Sequence, residues 1–163
     1  MRAYALFRYT EAFRSMLFQY KGCGDIELAP AFVGHVIYAF RLWFPGYYFV
    51  PAPSSKEHDE KRGFNQVQEI LRYYSLPVLD VLRKPFLHKQ SDMSLRQRWK
   101  VKDYLRIVHP EQVQGKKVVL VDDVYTTGAT CSACVDLLRQ AKPKAIRVLV
   151  LARVEKKPAS GLD

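Results

Sequence analysis

Val118-Val119-Leu120-Val121-Asp122-Asp123-Val124-Tyr125-Thr126-Thr127-Gly128-Ala129-Thr130 is the stretch whose reading decides the fold. Four apolar residues without a polar break read as a strand covered on both faces, as in a parallel sheet. Open α/β sheets take their ligands beyond the carboxyl ends of such strands. Asp122 and Asp123 are expected to project there, with acceptor oxygens suited to a pair of neighbouring hydroxyls. Thr126, Thr127, Gly128, Ala129 and Thr130 then supply backbone N–H groups, hydroxyls and a helix N-terminus, the parts of a phosphate cradle. Each half alone is common, since acidic pairs occur at turns and Thr-Gly-x-Thr is a plausible helix cap. Joined in this order without a gap, they describe a site for a ribose 5-phosphate.

Working outward, Cys131, Cys134, Val135 and Leu138 form one apolar face of a helix over 131–141, and 146–152 is a second apolar strand. Upstream, Thr10 is placed to cap a helix with Phe13, Met16, Leu17 and Tyr20 at helical spacing, closed by Gly22 and Gly24. A second helix is predicted over 28–42. Pro45-Gly46 turns the chain into a short strand, 47–50, which Pro51-Ala52-Pro53 stops, because proline cannot join a central ladder. A polar loop, 54–63, precedes a third helix marked by Phe64, Val67, Leu71 and Tyr74. Strands are predicted at 78–82 and 104–108, with a long, charged, mobile loop over 83–102 between them. Strands alternating with helical patterns predict a single three-layer α/β domain over 1–163 with a mainly parallel central sheet, the 118–121 strand near its centre. Residues 1–45 read as its helical part and 46–156 as the sheet core.

The chain has 163 residues, 48% apolar and 26% charged, which suits one globular domain. No stretch approaches the roughly 20 apolar residues that span a membrane, and the first residues lack a signal-peptide pattern. A cytoplasmic protein without membrane insertion is expected. Three cysteines give no disulfide framework. Cys131 and Cys134 mimic a metal half-site, but no second Cys or His pair closes a tetrahedron, so they read as buried packing. Net charge is +10, more than one phosphate site needs, and it fits either a polyanionic partner or a simply basic surface.

The 118–130 stretch resembles the signature of type I phosphoribosyltransferases, which use phosphoribosyl diphosphate (PRPP). The chain as a whole resembles the ComF family of competence-associated phosphoribosyltransferase-like proteins, through five stretches between about Tyr9 and Arg153. These are Tyr20-Lys21-Gly22-Cys23-Gly24-Asp25, Val50-Pro51-Ala52-Pro53, Arg62-Gly63-Phe64-Asn65-Gln66, Lys89-Gln90-Ser91 with Arg98, and the signature itself. Two departures stand out. Members usually begin with a cysteine-rich zinc ribbon, which this sequence does not contain, so no zinc is expected. Lys100 takes the place of an asparagine that usually follows the loop arginine, and whatever that asparagine does is in question here.

The resemblance implies binding of PRPP with magnesium as cofactor, an ion suited to hard oxygen ligands. Asp122 and Asp123 would hold the ribose hydroxyls and favour the cation that develops as diphosphate leaves. The magnesium would be held through substrate and water rather than by direct protein ligands. The diphosphate loop falls at Ala52, Pro53, Ser54, Ser55 and Lys56, with Arg62 as a second cation. Arg153 and Glu155 are candidate acceptor contacts, and Tyr125 either packs or meets the acceptor ring. Lys21 and Arg62 also fit solvated charged positions. In the long loop Arg96, Arg98, Lys100 and Lys102 alternate around Trp99, a candidate single-stranded DNA contact; the competing reading has Trp99 in the core or over PRPP. Three functions stay open: a transferase with an unidentified acceptor, a non-catalytic PRPP-sensing module handling single-stranded DNA beside a DNA-uptake helicase, and nucleobase salvage. The run at 62–66 argues against salvage.

Overall fold

A computed structural model describes residues 3–22, 34, 40, 42–53, 65–84 and 105–155, without the side chains of Tyr20, Lys21 and Gln66. In chain order the elements are β1 (Ala3–Arg8), α1 (Glu11–Gly22), β2 (Tyr47–Pro51), α2 (Gln66–Tyr73), β3 (Leu82–Arg83), β4 (Arg106–Ile107), a 3-10 turn (Pro110–Gln112), β5 (Lys117–Tyr125), α3 (Ala129–Gln140) and β6 (Ala145–Arg153). The main sheet has the order β1-β6-β5-β2, and every pairing in it is parallel. The signature strand β5 is therefore interior, as predicted.

Alternation along β5 and β6 builds two cores. Val119, Val121, Leu149 and Leu151 face one side and pack with Phe13 and Leu17 of α1 and Ile70 and Leu71 of α2. Val118, Leu120, Val148 and Val150 face the other and pack with Cys131, Cys134, Val135 and Leu138 of α3. Successive side chains of a strand point to opposite faces, so an unbroken apolar run needs helices on both sides. That is the three-layer α/β architecture. Each such side chain, buried fully, stabilises the fold by about 1.5–3 kcal/mol.

Local chemistry explains most boundaries. The Phe13 N–H donates to Thr10 Oγ1 at 3.2 Å, fixing the start of α1. Asn65 caps α2, its Oδ1 accepting from the Gln68 N–H at 3.0 Å.

Four expectations need correction. Residues 3–8 are a strand, not part of a helical segment; two alanines weaken its β-propensity, and parallel pairing with β6 supplies what the sequence pattern lacks. The 78–82 strand is broken: Val78 makes one parallel bridge to Phe49, after which Asp80 binds Arg83 and Gln68. The 104–108 strand reduces to β4, which pairs antiparallel with β3 outside the main sheet. Arg83, expected to open the long loop, instead belongs to β3 and pairs with Arg106; residues 85–102 of that loop lie outside the described residues. The predicted 28–42 helix lies outside the described residues apart from positions 34, 40 and 42.

Candidate functional site

The strand β5 runs on through both carboxylates to Tyr125, four residues beyond the apolar run. Asp122 and Asp123 thus sit in the last turns of the ladder rather than past its end, and both are half-buried. Their orientations are fixed locally. Asp122 Oδ1 accepts from the Asp123 N–H at 2.9 Å, and Asp123 Oδ1 from the Val124 N–H at 2.6 Å. Asp122 Oδ2 lies 3.5 Å from Cys131 Sγ, the thiol acting as donor. Burial first, then the Asp122 charge, raise the Cys131 thiol far above its ordinary pKa, so it keeps the proton it donates. Cys134 is pushed up to about 12 by burial and by Asp122, with Lys84 opposing. Both cysteines are buried in the apolar face of α3, as the spacing implied.

Gly128 is the N-cap of α3, at φ +77° and ψ 8°. That left-handed conformation strains any residue with a Cβ. Space forbids one as well: a Cβ there would come within 2.9 Å of Tyr125 Cε2 and closer still to Cζ and Oη. Thr127 Oγ1 accepts from the Ala129 N–H at 3.3 Å. Thr126, Thr127 and Ala129 are exposed, and Thr130 is half-buried. The turn thus presents hydroxyls and helix-end amides at the same end of the sheet as the carboxylates, an arrangement suited to an anion.

The third part comes from β2. Pro51 is in register with Val121, and the Ala52 N–H donates to the Val121 carbonyl at 2.7 Å. Ala52 is therefore held beside Asp122, although 70 residues separate them in sequence, and Pro53 follows. Asn65 Nδ2 donates to the Ala52 carbonyl at 3.3 Å, so the α2 cap also anchors the loop. Its Asn-x-x-Gln spacing to Gln68 is a capping signature that could have been read from sequence; the tether to Ala52 could not. Ser54, Ser55, Lys56, Arg62, Arg96, Arg98, Trp99, Lys100 and Lys102 lie outside the described residues, as does the Lys21 side chain.

Tyr125 and Arg153 complete the described site. The Arg153 guanidinium sits 4.7 Å from the Tyr125 ring centroid, and the Val154 N–H donates to the Tyr125 carbonyl at 3.0 Å. Glu155 instead pairs with Arg8 at 3.3 Å on an exposed edge, where an ion pair contributes at most about 1 kcal/mol. Asp122 and Asp123 are hard oxygen ligands that suit magnesium. Among the described residues no group of three or more His, Cys, Asp or Glu gathers to hold a metal, so an ion here would draw further ligands from substrate and water.

With this geometry in place, comparison with known proteins is informative. Residues 60–162 match the family model described as the phosphoribosyl transferase domain. The chain is 30% identical over 149 residues to competence protein ComFC of Streptococcus pneumoniae, covering 91% of this chain and 67% of that one. It is 30% identical over 152 residues to competence protein ComFC of Bacillus subtilis, covering 91% and 63%. The chain thus spans about two thirds of these relatives. A hypoxanthine-guanine phosphoribosyltransferase of Bacillus anthracis superposes with TM-score 0.51 over 85% of this chain and 76% of that one, at 17% identity, which supports the fold alone. No helix among the described residues is long and apolar enough to cross a membrane. From the family match and the length of the ComFC similarity, the chain belongs to the ComF family of phosphoribosyltransferase-like proteins.

Proposed function

We propose that the protein binds PRPP with magnesium at the carboxyl ends of β2 and β5 and transfers its phosphoribosyl group to an acceptor. One observation carries the reading: the Ala52 N–H bonded to the Val121 carbonyl sets the start of the diphosphate loop against the carboxylates, with the Gly128 turn beyond them. Diphosphate, diol and 5-phosphate then each have a facing group, in the order in which PRPP carries them. Asp122 and Asp123 accept the 2- and 3-hydroxyls. The 126–130 turn takes the 5-phosphate through N–H groups and hydroxyls. Negative charge near the ribose favours the oxocarbenium character that grows as the bond to diphosphate breaks. Magnesium, when bound, neutralises the departing diphosphate.

The Tyr125–Arg153 pair follows the carboxylates at the end of β5, and we assign it to the acceptor. The competence-protein relatives support a setting in competence, and within it we propose a cytoplasmic role in DNA uptake with single-stranded DNA and a helicase as partners. Isothermal calorimetry of PRPP with and without magnesium tests the binding. Diphosphate release measured across candidate acceptors tests the transfer. Absence of magnesium-dependent PRPP binding ends the reading, while binding without release for any acceptor leaves a sensor in place of an enzyme.

A further inference from the structure

The amino ends of the same strands carry a second, chemically different recess. It has a volume of about 410 Å³ and is lined by Tyr4, Trp43, Phe44, Tyr47 and Arg147. Phe44 is its floor: it is 7% exposed and meets Tyr4 edge-on at 6.3 Å and Tyr47 edge-on at 5.8 Å. Trp43 and Tyr4 are 60% and 47% exposed, an unusual amount of aromatic surface for one spot on a small domain. No carboxylate is among the described lining residues. Cations are: Arg147 lines the recess, and Lys117 Nζ lies 5.6 Å from the centroid of the Tyr47 ring.

The geometry points to this recess as a docking site for single-stranded nucleic acid, one base entering between the aromatic walls and the flanking phosphates lying on Arg147 and Lys117. Aromatic platforms beside a cationic track are how single strands are held without sequence preference. A free mononucleotide suits the cleft less well, since the cations stand on two strands, Lys117 on β5 and Arg147 on β6, and so meet the phosphates on either side of one base. A second copy of this chain would bring the same cations face to face. The inference stands apart from the PRPP reading, because the recess lies at the opposite end of the sheet.

The test uses a labelled oligothymidylate in fluorescence anisotropy over several salt concentrations. Trp43→Ala should weaken binding about tenfold, within the range for losing one stacked base. Arg147→Glu should flatten the salt dependence by about 0.7 in log–log slope, one phosphate's share. Tyr4→Ser is a second aromatic probe on an exposed position. Trp99→Phe leaves Trp43 as the one tryptophan, whose fluorescence should then quench as the oligonucleotide binds. PRPP affinity should stay unchanged in the Trp43 and Arg147 variants. Conversely, Gly128→Val should lose PRPP and keep the oligonucleotide. The proposal is overturned if wild type does not bind, or if both variants bind as wild type does. Loss of binding only in the Arg96→Glu, Lys102→Glu double variant also overturns it, as does thymidine monophosphate displacing the oligonucleotide at equal nucleotide concentration. Dissociation of a dimer by Trp43→Ala, without change in oligonucleotide affinity, would assign the recess to self-association and overturn it too.

Discussion

The two ends of one parallel sheet are chemically opposite. At the carboxyl ends stand two carboxylates, a glycine turn and hydroxyls, beside the Tyr125–Arg153 pair. At the amino ends stand Tyr4, Trp43, Tyr47, Lys116, Lys117, Lys144 and Arg147. Topology accounts for the contrast. A helix that follows each strand and returns alongside it starts at the carboxyl end and finishes at the amino end. Helix N-termini, with their positive dipole ends and unsatisfied N–H groups, therefore gather at the end that carries the Gly128 turn. Helix C-termini gather at the other end, where basic side chains are favoured. Polarity built into the backbone thus presents helix-end amides at one end, where we propose that a compact anion binds, and leaves side-chain cations at the other.

The largest expected effect comes from breaking the backbone-built end. Gly128→Val should reduce PRPP affinity more than about 100-fold in calorimetry, since it removes the left-handed turn and collides with Tyr125. A Tyr125→Ala background separates the causes. It makes room for the Gly128→Ala methyl but cannot relieve the φ +77° strain, so binding should recover only partly. Full recovery would show that sterics alone set the need for glycine.

Next in size, Asp122→Asn and Asp123→Asn should each weaken PRPP binding about tenfold to 100-fold, because charge-assisted hydrogen bonds are worth about 1.5–3 kcal/mol. Oligonucleotide affinity at the amino end should hold or rise slightly. An equal loss of both ligands would mean that the two ends are not independent sites.

A smaller effect belongs to Asn65, which joins a helix cap to the Ala52 carbonyl. Asn65→Ala should lower stability by about 1 kcal/mol in urea unfolding. It should also weaken PRPP binding, because the loop start loses its anchor. Asn65→Asp keeps the cap acceptor but not the Nδ2 donor, so it should restore stability without restoring PRPP affinity. If both recover together, the tether to Ala52 has no role.

The smallest effect is a pH dependence. Cys134 titrates near 9.0 when unfolded and at about 12 when folded. A raised folded pKa leaves stability intact below pH 9, and stability then falls as the pH rises, because the unfolded chain alone releases the proton. Cys131 shifts in the same direction. Unfolding followed from pH 8 to pH 11 should show a downward slope that is shallower in a Cys131→Ala, Cys134→Ala protein. Identical slopes would mean that the thiols do not couple to folding.

What the sequence determined by itself was local or periodic. An unbroken apolar run needs two covering layers, so 118–121 announced an interior parallel strand. Acids, glycine and threonines contiguous in the chain announced the strand-turn-helix on which the cradle is proposed, because such a unit keeps neighbours in sequence as neighbours in space. The Thr10 cap and the buried Cys131 and Cys134 were legible for the same reason, each lying within one turn of its partners. Tertiary structure alone decided the rest. β1 exists because β6 offers it a parallel edge, against the weak propensity of its own alanines. Ala52 reaches Asp122 through the register of β2 on β5, and a register is a property of two strands that neither encodes alone. The pairing of Cys131 with Asp122 and of Arg153 with Tyr125 depends on how far β5 runs before α3 begins and on where β6 ends beside it. The aromatic recess draws on β1, β6 and the chain before β2, three places with no shared pattern in the sequence. Contacts across long separations are fixed by packing and strand pairing, and no spacing rule along the chain records them.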